Sequence, residues 1–217
     1  MFQALKNRLI QKTQANAEKH PNLVEIFERD PIAKETQWTP AAPGGASFKT
    51  RKLTQPHKNR IVFEVTGMSK FFGLIFMGAG LLTCSMSIVV QEAWFFFLPF
   101  GGVFVLVGFF VFKMMTQPST FDQTLGYFWK GKDEPRTGKE SVVTQLDQIH
   151  ALQLIAERLT SSSSSSSSRS VYHSFELNLV LRTGERVNVI DHGDLHQIRK
   201  DANILGDFLG VEVWDAT

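Results

Sequence analysis

The sequence predicts a membrane α+β protein. A two-helix transmembrane hairpin is inserted between early strands of a small cytoplasmic β-barrel, a C-terminal helix caps that barrel, and an N-terminal amphipathic helix precedes it. Three observations predict this. Residues 71–90 and 93–112 contain no charged side chain. Residues 171–191 alternate apolar and polar side chains about one tight turn. Residues 195–209 repeat apolar side chains at three and four positions.

The mean hydropathy, −0.07, conceals that segregation. About 20 apolar residues at 1.5 Å rise cross the roughly 30 Å hydrocarbon core of a bilayer. Both uncharged windows reach that length, and soluble core helices rarely lack charge on every face for so long. Gln91 and Glu92 interrupt the apolar run and read as the turn between two antiparallel spans. A glutamate is costly inside a bilayer and at ease in water. Trp94 and Phe95–Phe97 suit the interface just beyond it. Pro99 is placed to bend the second span near its start.

Orientation follows from the cations. Lys49, Arg51, Lys52, Lys58, Arg60 and Lys70 precede the first span, with Glu64 as the one acid among them. Lys113 follows the second span, and the turn has neither Lys nor Arg. The positive-inside rule then places both termini in the cytoplasm. No secretory signal is expected, since the first apolar run starts at Phe71. Residues 1–70 carry net +6 and residues 113–217 net −3. Positive charge is thus concentrated beside the expected membrane, where anionic headgroups attract it. Those six cations are read as lipid-facing, and nucleic acid is not an expected partner.

Residues 1–45 form an N-terminal helical segment and linker. Phe2, Leu5, Leu9 and Ile10 make an apolar stripe among Lys6, Arg8 and Lys12, suited to an anionic membrane surface or to packing on protein. Leu23, Val24, Ile26 and Phe27 belong to a second helical piece. Pro31, Pro40, Pro43 and Gly44–Gly45 mark a linker over 31–47. Residues 46–70 hold the first strands, Phe48–Leu53 and Ile61–Val65. Within the hairpin, 71–112, Gly73, Ala79, Gly80, Thr83, Ser87, Gly101 and Gly108 are small residues at spacings of four or seven, and are read as helix-packing positions. Cys84 lies in the first span and is read as a small packing residue.

The remainder, 113–217, reads as strands and one helix. Residues 121–130 alternate, with Phe121, Gln123, Leu125, Tyr127 and Trp129 on one face. Residues 131–140 are a turn. Residues 148–159 read as a strand with Leu152 and Leu154 inward; a helix is the rival reading. The serine run 161–168 reads as a flexible loop between strands. His173, Phe175, Leu177, Leu179 and Leu181 alternate into a turn at Thr183–Gly184, and Val187 and Val189 return. Asp191 or Asp194 can cap a helix whose packed face is Leu195, Ile198, Ala202, Leu205 and Leu209. Trp214 is expected to cover an open end of the core.

"FDQTLGYFWKGK", "QIHALQLI" and the long stretch 175–215 resemble a group of bacterial two-span inner-membrane proteins with a cytoplasmic pleckstrin-homology-like domain. Two-span photosystem assembly factors are similar in plan. The resemblance covers about residues 46–215, leaves the first 45 outside, and rests on a pattern, with no catalytic motif. It implies a non-catalytic, membrane-anchored protein-interaction or assembly module. The alternative is a subunit of a homo-oligomeric channel or transporter, since two spans make a pore only as a multimer.

Candidate chemistry is sparse. His192 and His196 are four apart, the spacing of metal ligands on one helix face, with Asp191 and Asp194 nearby. The glutamate that follows the first histidine in zinc hydrolases is missing, and Asp194 serves more simply as a helix cap. No metal or cofactor is expected. The serine run lacks a positioned base, so no nucleophile is assigned.

Overall fold

Two sheets, one antiparallel and one mixed, separated in sequence by a short helical turn, organise the strands of the computed structural model. The structure describes residues 21–135, 142–161 and 170–217. Helices α1 (Pro21–Arg29) and α2 (Pro31–Glu35) come first, followed by β1 (Arg51–His57) and β2 (Arg60–Val65). The long helices α3 (Gly67–Val89) and α4 (Trp94–Met115) follow, joined by a 3-10 turn at Gln91–Ala93. The chain continues through β3 (Ser119–Asp122), β4 (Tyr127–Lys130), β5 (Val142–Gln145), β6 (Ile149–Ser161), β7 (Ser170–Leu181) and β8 (Arg186–His192). Helix α5 (Leu195–Leu209) and strand β9 (Glu212–Ala216) complete it.

One sheet has five strands in the order β1-β2-β3-β4-β5, and the other has four in the order β8-β7-β6-β9. The fold class is α+β, as predicted, but the sheets do not close into a barrel. The edge strands are β1 and β5 in one sheet and β8 and β9 in the other, and among the described residues no ladder joins an edge of one sheet to an edge of the other. Both edges of β6 are taken, by β7 on one side and by the parallel strand β9 on the other. Pro56 lies in β1, which is an edge strand, where its missing N–H costs no ladder bond.

The main core lies between the sheets. Ile61, Phe63, Phe121 and Phe128 from the first sheet meet Leu152, Leu154, Leu177 and Leu179 from the second, and α5 adds Ile198, Ala202 and Leu205. Helix α5 follows its predicted register. The Asp194 carboxylate accepts the Gln197 N–H at 3.0 Å, and Gly210 ends the helix at φ +68°.

Several local expectations are corrected. Residues 121–130 are two strands: Asp122 accepts the N–H groups of Thr124 and Leu125, folding 123–126 into a turn with Gly126 at φ +77°. Residues 31–46 are not a free linker. Asp30 caps α2, and Leu23, Ile26, Ala33 and Trp38 form a second apolar cluster on the outer face of the four-stranded sheet with Ala151, Val180 and Trp214. Trp214 therefore covers that outer face, stacked on Trp38 at 5.8 Å, and not an end of the main core. The stretch 148–159 is a strand, β6, and it is buried on both faces over Ala151–Ile155. The N-terminal basic stripe, residues 136–141 and residues 162–169 of the serine loop lie outside the described residues.

Helices α3 and α4 pack against each other through glycine. A Cβ at Gly73 would stand 2.7 Å from the Phe112 Cβ, one at Gly80 2.7 Å from the Val105 nitrogen, and one at Gly108 2.7 Å from the Met77 nitrogen. At Gly101 it would stand 2.6 Å from Cys84 Sγ. Such contacts let the backbones approach closely. The rest of both helices is bare: only 12% and 11% of their apolar windows is buried. Both helices are long and apolar enough to span a membrane.

Candidate functional site

At the foot of the α3–α4 hairpin the chain gathers charge instead of apolar side chains. Val65 pairs with Arg51 in the β1–β2 ladder, so Arg51 stands at the end of the sheet from which α3 departs. The start of α3 is tied there. Thr66 Oγ1 donates to the Lys49 carbonyl at 2.9 Å, and Ser69 Oγ donates to the Thr50 carbonyl at 3.2 Å. The Arg51 guanidinium donates to the Gln117 carbonyl, just past α4. Thr50 Oγ1 donates to the Asp191 carbonyl, and the Gly193 N–H to the Phe48 carbonyl, fastening the second sheet to the same point.

Between these ties lies a cleft of about 280 Å³, lined by Thr50, Arg51, Ser69, Met115, Lys130, Asn188 and Asp191 among others. Lys130 Nζ donates to Asn188 Oδ1 at 3.1 Å, and Asn188 Nδ2 donates to Asp191 Oδ1 at 2.9 Å. The amide thus bridges an ammonium and a carboxylate. Burial, with Glu176 nearby, pushes the Asp191 carboxyl up to about 6; Asn188, Lys130 and Arg51 oppose the rise. Burial and the Arg51 charge bring Lys130 down to about 8, against the pull of Asp191 and Glu176. Burial also lowers Arg51. The pair therefore titrates on either side of neutrality, and the set can bind an anion or hold and exchange a proton.

A second polar set clasps residues 37–45 to the outer face of the four-stranded sheet. Glu176, 1% exposed, accepts the Ala41 N–H at 2.7 Å, the Ala42 N–H at 2.9 Å and the Asn178 amide at 3.0 Å. Glu157 accepts the Gly44 N–H at 3.0 Å. Arg186 donates to the Thr39 carbonyl at 2.6 Å and to Gln153 at 3.2 Å, and Gln153 donates to the Gln37 carbonyl at 3.0 Å. At Gly45 no side chain fits, since a Cβ would fall 2.0 Å from Ser174 Oγ.

The six cations do not form one surface. Arg51 turns into the cleft, and Lys49 is half-buried. Lys52 and Lys70 are exposed. Lys58 and Arg60 sit at the β1–β2 turn, five residues and roughly 17 Å along the strand from the hairpin. Arg60 is bound to Asp122 at 2.5 Å and Glu134 at 3.1 Å and lies 5.7 Å from the Trp129 ring. A lipid-facing role does not fit these two. Of the small hairpin residues, Gly73, Gly80, Gly101 and Gly108 lie in the seam. Ala79 faces outward, and the hydroxyls of Thr83 and Ser87 donate to carbonyls of their own helix, Ala79 and Cys84.

His192 and His196 do not converge. His192 ends β8, fully buried, with Nδ1 accepting the Asp194 N–H at 3.1 Å; burial holds it down near 4, so it is neutral. His196 is exposed on α5. Among the described residues no group of three or more His, Cys, Asp or Glu side chains could hold a metal ion.

Sequence reasoning missed Lys130 and Asn188 and used Asp191 only as a cap or a metal oxygen. The one available signal was Lys130, the single charge closing the aromatic strand β4; Asn188 and Asp191 lie within β8 among other polar residues. No protein-family model matches the chain, and no curated protein matches it.

Proposed function

We propose that this protein is a two-span membrane protein whose two-sheet domain lies on the cytoplasmic face and acts as a protein-interaction or assembly module. The plan is that of a pleckstrin-homology-like domain interrupted by its anchor. The observation that carries the reading is the contrast along α3 and α4. Helix α3 presents Phe, Leu, Ile and Val to its surroundings and α4 presents Phe, Leu and Val, yet their shared foot is a dense set of polar ties. In water that bare apolar area would drive association; in a bilayer it is at rest. The ties make the hairpin and the sheets one mechanical body, so a partner docking on the domain is held at a fixed height above the membrane.

A homo-oligomeric channel is less well supported, because Gly73, Gly80, Gly101 and Gly108 are used inside one hairpin. Two measurements test the reading. Alkaline carbonate should leave the protein in the membrane fraction. Native mass determination after extraction in mild detergent should find a stoichiometric second protein. A closed homo-oligomer that conducts ions in reconstituted bilayers overturns the assembly reading in favour of the channel.

A further inference from the structure

Beside the foot of the hairpin lies a cavity of about 590 Å³. Phe109, Phe112, Lys113 and Thr116 of α4 line it at positions i, i+3, i+4 and i+7, hence along one face of the helix. That face changes from aromatic to cationic within about 10 Å of rise. Across from it stand Lys130, Gly131, Lys132 and Asp133 at the end of β4. Lys113 and Lys132 thus share the lining with one carboxylate, Asp133, while the Lys130 ammonium is engaged with Asn188. Lys113 and Lys132 are exposed, and among the described residues neither is in an ion pair.

We infer that this cavity is a binding site for the phosphate headgroup of an anionic phospholipid, with the acyl glycerol portion against Phe109 and Phe112 and the phosphate between Lys113 and Lys132. The inference rests on the two-span reading, which sets the cavity at the depth where headgroups meet acyl chains. A free phosphate ester satisfies the lysines but not the aromatic wall, so the lipid is the occupant. Lys130 lines this cavity and the polar cleft alike, so an anion here also bears on the Lys130–Asn188–Asp191 chain.

The test uses the full chain, extracted from membranes in mild detergent and titrated with phosphatidylglycerol or phosphatidylcholine under native mass spectrometry. One phosphatidylglycerol should bind at least tenfold tighter than phosphatidylcholine. Each basic residue near an anionic surface contributes about 1 kcal/mol, so Lys113→Gln with Lys132→Gln should weaken it about thirtyfold. Lys34→Gln with Lys58→Gln removes the same charge elsewhere and should leave it unchanged. Equal binding of the two lipids, or an equal loss in the control pair, overturns the site. Displacement by millimolar glycerol phosphate overturns the lipid as occupant in favour of a soluble ester. A protein recovered without detergent defeats the two-span reading before any lipid is added, whereas a detergent-dependent protein with no lipid preference defeats only this site.

Discussion

Truncating Glu176 to alanine tests the clasp on residues 37–45. The carboxylate is buried and receives three hydrogen bonds, two of them from the backbone of Ala41 and Ala42. Hydrogen bonds to a charged group are each worth about 1.5–3 kcal/mol, and removing one partner of a buried charged contact typically costs about 3–5 kcal/mol. Removing the carboxylate also relieves its own burial and its repulsion of Asp191, which favours the low end, about 3 kcal/mol. If that loss is felt as local opening, amide exchange across 37–46 should accelerate about 150-fold. The assay is hydrogen–deuterium exchange on the full chain in detergent, read on peptides covering this segment. Glu157→Ala removes one contact, to the Gly44 N–H, from a less buried position and should change exchange less than about tenfold. Unchanged protection of Ala41 and Ala42 in Glu176→Ala, or an equal effect of Glu157→Ala, would refute the clasp.

Three further outcomes follow from the same geometry. Asp191 has its carboxyl raised from 3.8 to about 6, so its contribution to stability is fullest below pH 4 and is lost as pH rises through 6. Asp191→Asn should therefore gain on the wild type between pH 4 and 6.5, with a ceiling of about 3 kcal/mol; a flat difference in Tm across that range rejects the assignment. Gly101→Leu would drive a side chain into Cys84 and should destabilise the hairpin by at least about 1–3 kcal/mol, while Gly102→Leu, with open space beside it, should be near neutral by thermal unfolding in detergent. Arg60→Ala removes the Arg60 contacts to Asp122 and Glu134 and should cost about 1–2 kcal/mol, whereas Lys58→Ala at the neighbouring exposed turn should stay within about 0.5 kcal/mol.

The hairpin was legible because charge is expensive in hydrocarbon, so its absence over two windows is an uncommon signal. The β7–β8 turn and the register of α5 were legible because alternation and three-four spacing report one buried face. That logic failed where both faces are buried. Gln153, Ser174, Glu176 and Asn178 read as the wet side of β6 and β7, yet all four are covered: residues 37–45 supply partners to Gln153 and Glu176, and Gly45 packs on Ser174. A polar side chain carries no mark of a hydrogen-bond partner more than a hundred positions away. The cleft was hidden for the same reason. Arg51 drew notice for its charge, but only the pairing of β1 with β2 and the departure of α3 turn it toward Lys130 and Asp191. Sheet order was beyond reach, since the parallel pairing of β6 with β9 depends on α5 carrying the chain across both β7 and β6.

The pairing of Trp38 with Trp214 has a consequence for synthesis. Arg29 and Glu212, which tie the same two segments, are 183 positions apart. At 5–20 residues per second a ribosome needs roughly ten to forty seconds to travel that distance. Throughout that interval Leu23, Ile26 and Trp38 have emerged without the tryptophan that covers them. The nascent chain thus carries an uncovered apolar flap on the outside of an unfinished sheet, and only the arrival of β9 buries it. A stalled or truncated translation product lacking residues 212–216 would keep that flap open, and would present itself to chaperones and proteases as unfinished.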